Sequence, residues 1–142
     1  MVGASDDPQA FIFGYTVFND VTSRELQKRH KQWLIGKGID TFGPLGPVIV
    51  TPDEMRSFDA AHLRTWVNGE LRQEAKLSNL IFGVDHLIRT IGRSTTLKAG
   101  DIIATGTPVG VGIGFRPPKY LAKGDKITIE IEGVGKLTNT VV

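Results

Sequence analysis

The sequence GYTVFNDVTSRELQ, residues 14–27, joins a strand pattern to a helix pattern. Residues 11–18 are almost all β-branched, aromatic or large and apolar, the types that fit a pleated sheet. Beyond the acidic residue Asp20, Thr22 and Glu25 have the spacing of a capping box, which predicts that a helix begins there. The stretch therefore predicts a strand that ends in an acidic residue and turns directly into a helix.

The carboxylate of Asp20 allows two interpretations. At a strand end, beside backbone N–H groups, it can bind a hard metal ion, with Arg24 and Gln27 one and two turns along the same segment. Aspartate is also among the commonest residues that cap a helix, and a cap alone explains its position. The spacing leaves both interpretations open.

Composition excludes several classes of protein. The chain has 142 residues, enough for one domain that buries roughly two-thirds of its unfolded surface. Its net charge of +2 is too small to indicate a nucleic-acid-binding face, and the absence of cysteine excludes disulfides and thiolate chemistry. No apolar run is long enough to cross a membrane and no signal-peptide pattern is present, so we expect a cytoplasmic protein.

A run of basic residues follows the predicted helix start. Residues 24–37 contain the cations Arg24, Lys28, Arg29, Lys31 and Lys37 against the acid Glu25. A solvated helix face explains such a run, and contact of one or two cations with an anionic substrate is the alternative. Lys37 stands apart because glycines flank it on both sides, so we expect a tight loop that presents its ammonium group.

Turn signals and periodicity predict the remaining elements. Asn68-Gly69 predicts a type I′ turn between strands at 63–67 and 70–75. A capping box at Thr51 predicts a helix start, and apolar spacing predicts a core-facing helix over 80–91 that ends at a left-handed Gly92. Gly-Asp turns at 100–101 and 124–125 each predict a strand start, the second leading into a half-buried strand at 127–131. The final third is therefore expected to be β.

A glycine-rich stretch at residues 105–114, TGTPVGVGIG, has the composition of a phosphate loop. It lacks both the lysine and the following helix of a nucleotide-binding loop, so we reject that function. A loop that offers the Thr107 hydroxyl and free N–H groups around Gly106 suits a carboxylate instead. A plain connecting loop is the alternative.

Two common catalytic centres have no support in the sequence. The histidines His30, His62 and His86 do not have zinc-ligand spacing with one another or with a nearby acid. The serines lie outside any Gly-x-Ser-x-Gly nucleophile elbow, so a serine triad is not indicated.

Five segments, in order, closely resemble the fumarylacetoacetate hydrolase family, in particular its domain-containing protein 2 and 2-hydroxyhepta-2,4-diene-1,7-dioate isomerase-like members. They are residues 15–24 with Gln27, residues 36–47, residues 67–70, residues 100–112 and residues 121–142. The resemblance covers nearly the whole chain and implies one α+β, mainly β domain over residues 1–142. The implied fold is a mixed β-sandwich roll that lacks its N-terminal portion, usually paired into a homodimer.

The resemblance also implies a chemistry. Family members bind Mg²⁺, Mn²⁺ or Ca²⁺ through a Glu-x-Glu pair and an aspartate, here Asp20, and the metal chelates a small 2-oxo acid. Arg24, Gln27 and Lys37 match polar residues around that substrate, and Thr107, beside Gly106, matches the threonine that holds its carboxylate. The ion polarises the 2-oxo group and stabilises an enolate, and Lys37 adds a fixed positive charge near the oxyanion. Hydrolysis, decarboxylation and isomerisation of 2-oxo or 1,3-dicarbonyl acids are all compatible with this scheme.

The sequence departs from the family pattern upstream of Asp20. The nineteen residues before Asp20 contain no Glu-x-Glu, and Asp6 and Asp7 lie too close to the strand to replace it. The family's water-activating His and Glu, which lie further upstream, are absent as well. We therefore expect the C-terminal part of a longer catalytic domain. Three functions stay open: a metal-dependent enzyme, a non-catalytic remnant, or an unrelated module that binds anions at Lys37 and Thr107.

Overall fold

Two antiparallel sheets form the core of the chain, and the computed structural model describes residues 7–142. The strands are β1 (Tyr15–Phe18), β2 (Leu45–Val50), β3 (His62–Val67), β4 (Glu70–Lys76), β5 (Lys126–Ile131) and β6 (Gly135–Thr140). The helices are α1 (Arg24–His30), α2 (Trp33–Lys37) and α3 (Val84–Gly92), and short 3₁₀ turns lie at Pro8–Phe11, Leu77–Asn79 and Gly112–Gly114. The mainly β class expected from the sequence is confirmed.

The smaller sheet pairs β1 with β2, and the larger has the order β4-β3-β5-β6. The two sheets pack on each other where β1 and β2 meet β5 and β6. Val17 of β1 is fully buried there, in one cluster with Val50, Ile127 and Ile129. Each such side chain contributes roughly 1.5–3 kcal/mol by leaving water, so this cluster holds the sheets together. The predicted alternation in β5 is confirmed, since Ile127 and Ile129 are buried.

The hairpin predicted at Asn68-Gly69 is confirmed. Both residues have positive φ, 51° and 82°, as a type I′ turn requires, and β3 and β4 pair on either side. The Asn68 side chain also ties the turn to β5. Its amide donates to Asp125 Oδ1 at 2.8 Å, and its carbonyl oxygen accepts from the N–H of Lys126 at 2.9 Å.

Replacement of Asn68 by proline should lower the free energy of unfolding by more than about 1 kcal/mol. Proline cannot adopt the positive φ of this turn, and it removes the N–H that donates to the Lys126 carbonyl at 2.9 Å. Asn68→Gly is the matched control, because it keeps both the φ and the N–H and loses only the side-chain bonds. Urea unfolding of the two variants checks this, and equal midpoints for Asn68→Pro and the unsubstituted chain would contradict it.

The strand predicted over residues 11–18 begins only at Tyr15. Phe11 instead ends the 3₁₀ turn Pro8–Phe11, which Asp7 caps by accepting from the N–H of Gln9 at 3.0 Å. Proline at the first helical position favours this turn because its φ is already helical. The local cap therefore overrides the strand preference of the apolar residues.

Two helix predictions also change. Residues 51–54 make a single turn, in which the N–H of Met55 reaches the Thr51 carbonyl at 3.0 Å, and no helix follows. Met55 is buried in the sheet core, and this burial redirects the backbone. Helix α3 begins at Val84 rather than residue 80, and Gly92 is helical, followed by Arg93 with φ −70°. It packs against the Pro8–Phe11 turn.

The Gly-Asp turn at 100–101 forms as predicted, but the strand after it does not. The N–H of Asp101 donates to the Lys98 carbonyl at 3.1 Å, and residues 101–108 run without strand pairing. A strand needs a hydrogen-bonded neighbour, and the sheets of the described residues offer none along this segment.

Several large apolar side chains of the described region are exposed. Ile81, Leu34 and Phe13 have 91%, 78% and 77% of their surface accessible. Exposed apolar residues at separate positions do not by themselves define an interface, so the homodimer implied by the resemblance stays a prediction. Within residues 7–142, no helix has both the length and the apolar character needed to cross a membrane.

Candidate functional site

The segment between β1 and α1 is held by local hydrogen bonds. The N–H of Asn19 donates to the Pro44 carbonyl at 2.9 Å, which fixes the end of β1. Thr22 Oγ1 donates to the Asp20 carbonyl at 3.1 Å, so Thr22 is not the helix cap that the sequence predicts. Ser23 caps α1 instead, its hydroxyl accepting from the N–H of Leu26. The cap moves by one residue because the Thr22 hydroxyl is engaged elsewhere.

Helix α2 docks on α1 through a glycine. Gly36 is buried, and its carbonyl accepts from the N–H of Ser23 at 2.8 Å. A Cβ at position 36 would lie 2.8 Å from the Ser23 carbonyl oxygen and 3.1 Å from Gln27 Cβ. Only glycine allows the helices this close, and their contact brings the end of α2 beside the Asp20 loop.

Lys37 is the last residue of α2, which corrects the prediction that it lies in a tight loop between glycines. Its ammonium group forms an ion pair with Asp20 and donates to Thr22 Oγ1 at 3.1 Å. The Lys37 side chain is 27% exposed, whereas Lys28 and Lys31 are exposed on the surface. The structure thus separates Lys37 from the solvated part of the basic run.

Arg24 and Gln27, one turn apart on α1, are bound to each other. Arg24 Nη1 donates to Gln27 Oε1 at 2.9 Å in a partly buried position. This bond uses one of the five guanidinium donors of Arg24, and the Gln27 amide keeps its own donors. The α1 pair and the group formed by Asp20, Thr22 and Lys37 therefore offer both cationic and neutral donors, a combination suited to an acidic substrate.

The glycine-rich loop is held against β4. Gln73 donates from Nε2 to Thr107 Oγ1 and to the Pro108 carbonyl, both at 2.8 Å. A Cβ at Gly110, where φ is 107°, would lie only 1.8 Å from the Arg72 carbonyl oxygen. Thr107 and Gly106 themselves are exposed. The glycines therefore allow a close approach to the strand, and the exposed end of the loop carries the Thr107 hydroxyl.

The far end of the same loop is fixed by charge and stacking. The Arg72 guanidinium lies 5.0 Å from the centre of the Phe115 ring, and the Lys119 ammonium 4.9 Å from it. Glu70 joins both cations, at 3.1 Å and 2.6 Å. The hydrogen bond to Lys119, with the charge of Arg72, holds the pKa of the exposed Glu70 carboxyl below its ordinary value. These contacts anchor the loop on β4.

The predicted site residues form three clusters. Asp20 pairs with Lys37, Arg24 bonds to Gln27, and Thr107, next to Gly106, bonds to Gln73. No hydrogen bond or ion pair among the described residues joins the clusters, so their assembly around one substrate stays a prediction. Sequence reasoning missed Gly36 and Gln73. Gly36 had a signal, its position two residues from Gly38, whereas no spacing rule links Gln73 to a residue 34 positions later.

A divalent metal needs several oxygen ligands, and the described residues do not assemble them. Within residues 7–142 no group of three His, Cys, Asp or Glu side chains is placed to hold a metal ion. The Asp20 carboxylate is paired with Lys37, and Asp7 caps the turn Pro8–Phe11. Asp6 lies outside the described residues. By themselves these residues do not fit the metal that the resemblance implies.

The chain does contain one Glu-x-Glu, at Glu130 and Glu132, downstream of Asp20. Both carboxylates already have cationic partners: Glu130 lies 3.4 Å from Lys136, and Glu132 lies 2.9 Å from Arg64. The N–H of His62 and the Arg64 guanidinium hold the pKa of Glu132 below its ordinary value. These glutamates therefore link strands within the larger sheet and do not replace the upstream pair.

Comparison with known proteins identifies the class of protein. The chain belongs to the fumarylacetoacetate hydrolase family and corresponds to its C-terminal region, since the family description "Fumarylacetoacetate (FAA) hydrolase C-terminal" matches residues 2–142. This confirms the resemblance seen in the sequence. Named relatives are enzymes, and this is a family of enzymes.

One relative is the oxaloacetate tautomerase YisK of Bacillus subtilis, 51% identical over 97% of this chain and 46% of its own length. The fold is similar to that of a fumarylacetoacetate hydrolase from Exiguobacterium antarcticum, with a TM-score of 0.92 at 47% identity over 98% of this chain and 51% of that one. A maleylpyruvate hydrolase from Sphingobium sp. SYK-6, solved in complex with manganese(II) and pyruvate, has a TM-score of 0.84 at 36% identity. That similarity covers 99% of this chain and 48% of that one. The chain thus spans about half the length of these relatives.

Proposed function

We propose that this chain provides part of the active site of an enzyme that acts on small 2-oxo or 1,3-dicarbonyl carboxylic acids. The observation that carries the proposal is the position of the Lys37 ammonium group. It is held at the end of α2 by Asp20 and Thr22, and α2 packs against α1, the helix that carries the donors of Arg24 and Gln27. The named relatives support the substrate class, since oxaloacetate and maleylpyruvate are both 2-oxo acids.

The common intermediate of this chemistry is an enolate. Loss of a proton from the carbon next to the 2-oxo group, or cleavage of a neighbouring C–C bond, leaves negative charge on the carbonyl oxygen. A fixed ammonium group beside that oxygen stabilises the charge as it develops. We assign this role to Lys37. Arg24 and Gln27 bind and orient the substrate through their N–H donors, and Thr107 with the N–H groups near Gly106 receives its carboxylate.

The Asp20–Lys37 pair also sets how Lys37 acts. A carboxylate beside the ammonium group restrains the side chain in one position. Before a substrate binds, Asp20 and Thr22 therefore hold the Lys37 ammonium group in place. We propose that Asp20 is in addition one ligand of a Mg²⁺ or Mn²⁺ ion whose other ligands lie outside the described residues. No step of the proposed mechanism depends on that ion.

The direct test measures three reactions, catalysed by residues 1–142 or by a longer chimera, with Mg²⁺, with Mn²⁺ and with chelator. Tautomerisation of oxaloacetate is followed by the absorbance of its enol, decarboxylation by pyruvate formation, and hydrolysis by loss of an acylpyruvate. We expect the longer chimera to catalyse at least one of these reactions, and residues 1–142 alone to show little or no turnover. A chimera that joins the preceding half of YisK to residue 1 is as long as the named relatives.

Inactivity of both the chain and the chimera in all three reactions would overturn the proposal. Binding of pyruvate or oxalate without turnover in either protein would favour the alternative, an anion-binding module without catalysis. Calorimetry on the same samples separates these two outcomes, because it measures binding independently of reaction.

A further inference from the structure

An irregularity in β4 directs two successive side chains at the glycine-rich loop. Thr65 of β3 pairs with Gln73, and the next residue, Trp66, pairs with Leu71, so Arg72 is an extra residue in the ladder. Such a bulge changes the direction of the side chains on its strand. Arg72 reaches the ring of Phe115, and Gln73 reaches Thr107. In a regular strand these neighbours would point to opposite faces.

The hydrogen bonds of Gln73 define the orientation of its amide. Nε2 lies 2.8 Å from the Pro108 carbonyl oxygen, which can only accept, so the group at that position must be the NH₂. The same nitrogen lies 2.8 Å from Thr107 Oγ1. An NH₂ group has two hydrogens, and these two bonds use both of them. The Thr107 oxygen is therefore an acceptor toward Gln73.

This assignment determines what the Thr107 hydroxyl can do. Because its oxygen accepts from Gln73, its own hydrogen cannot point at Gln73 and is left to donate elsewhere. Thr107 is exposed, so that donor is accessible to a ligand. A hydroxyl polarised by one hydrogen bond is also a stronger donor in a second. The arrangement suits a ligand group that only accepts, such as a carboxylate, better than one that donates.

The loop backbone is restrained in the same place. Gly110 lies so close to β4 that a Cβ there would be 1.8 Å from the Arg72 carbonyl oxygen. Gln73 thus bonds to a loop segment that already packs closely against β4. Its bond to the Pro108 carbonyl fixes which part of the loop lies beside its amide. The Thr107 hydroxyl is set in position by the bulge, the amide and the glycine together.

We propose that Gln73 is a positioning residue, which holds the Thr107 hydroxyl as a hydrogen-bond donor for the carboxylate of the substrate. The inference rests on the proposed function for the identity of that substrate, a 2-oxo acid. It goes beyond that function by naming the residue that makes the site select a carboxylate. Gln73 itself does not contact the reacting atoms.

The test compares Gln73→Glu and Gln73→Met in the active form of the enzyme, the chain or the chimera. A glutamate at 73 accepts where glutamine donates, so the Thr107 hydroxyl turns toward it and is lost to the substrate. We expect KM for the 2-oxo acid to rise by about tenfold or more, with a much smaller change in kcat. Gln73→Met, which neither donates nor accepts strongly, should raise KM less.

Two further measurements separate positioning from a structural role. The KM effect of Gln73→Glu should persist from about pH 8 to about pH 6 and shrink only as the pH falls through about 4.3, because a glutamic acid regains a donor as it is protonated. In a Thr107→Val background Gln73→Glu should add little, since the hydroxyl that it redirects is gone. Equal KM values for Gln73→Glu and the unsubstituted enzyme, or fully additive effects in the double variant, would overturn the inference.

Calorimetry with oxalate distinguishes this inference from the proposed function. If no substrate is turned over, the proposed function fails, and tighter binding of oxalate by the unsubstituted chain than by Gln73→Glu and Thr107→Val still supports the positioning role. If turnover is normal and Gln73→Glu binds and reacts as well as the unsubstituted enzyme, the positioning role fails while the proposed function stands. Equal oxalate binding by all three proteins overturns the positioning role in either case.

Discussion

Replacement of Lys37 by methionine should lower kcat by about a hundredfold, the loss typical of removing one donor from an oxyanion site. Methionine keeps the length and the apolar stem of lysine, so the variant removes the charge with little change in packing. The ammonium group of Lys37 is held by Asp20 and Thr22, so its loss removes the positive charge from this group of contacts. Steady-state kinetics of the active form measures the effect.

The basic run supplies matched controls for Lys37. Lys28→Met and Lys31→Met remove the same charge from exposed positions of the same segment and should leave kcat within about twofold. Thermal unfolding of each variant shows whether the fold is retained, since Lys37→Met also leaves Asp20 without its partner. Equal kcat values for all three variants would show that Lys37 acts only as a surface charge, which would contradict its assigned role.

Among glycine-to-alanine substitutions in the glycine-rich loop, Gly110→Ala should be the most destabilising. It should lower the free energy of unfolding by more than about 3 kcal/mol. Its Cβ would lie 1.8 Å from the Arg72 carbonyl oxygen and 2.8 Å from the carbonyl carbon, and the φ of 107° is itself unfavourable for alanine. The loop must leave β4 to accept the methyl group. That movement breaks the bonds of Gln73 to Thr107 and Pro108 as well.

Two other glycines of the loop separate the two causes of this loss, which are steric overlap of the added Cβ and backbone strain. Gly106 has a φ of 120° but no atom within 4 Å of an added Cβ, so Gly106→Ala measures backbone strain alone, on the order of 1–3 kcal/mol. Gly114 has neither a positive φ nor a neighbour within 4 Å, so Gly114→Ala should change stability by less than about 0.5 kcal/mol. Urea unfolding should rank the losses Gly110, then Gly106, then Gly114. A Gly110→Ala midpoint equal to that of Gly114→Ala would show that the loop does not dock on β4.

Much of the β structure was predictable because its causes are local. The hairpin depends on the positive φ that Asn68 and Gly69 tolerate, and β5 depends on alternation between apolar and polar residues. The candidate site residues Asp20, Arg24, Gln27, Lys37 and Thr107 were identified through family motifs. Their chemistry follows from residue type, but their partners do not.

Where competing local signals were present, only the folded chain decided between them. The apolar residues before Tyr15 fit a strand, yet the cap of Asp7 places Phe11 in a 3₁₀ turn. Thr22 and Ser23 are both good helix caps, and the approach of Lys37 to Thr22 leaves the cap to Ser23. Local propensities differ by about 1 kcal/mol or less, so a single tertiary hydrogen bond is enough to choose.

By itself, the sequence determined the mainly β class, the hairpin and the family. The tertiary structure decided which side chains meet: Lys37 with Asp20, 17 positions apart, and Gln73 with Thr107, 34 positions apart. The physical reason is the range of the forces that fix each feature. Turns and strands follow from sterics within a few residues, whereas these pairs exist only because Gly36 lets two helices touch and a bulge at Arg72 redirects β4.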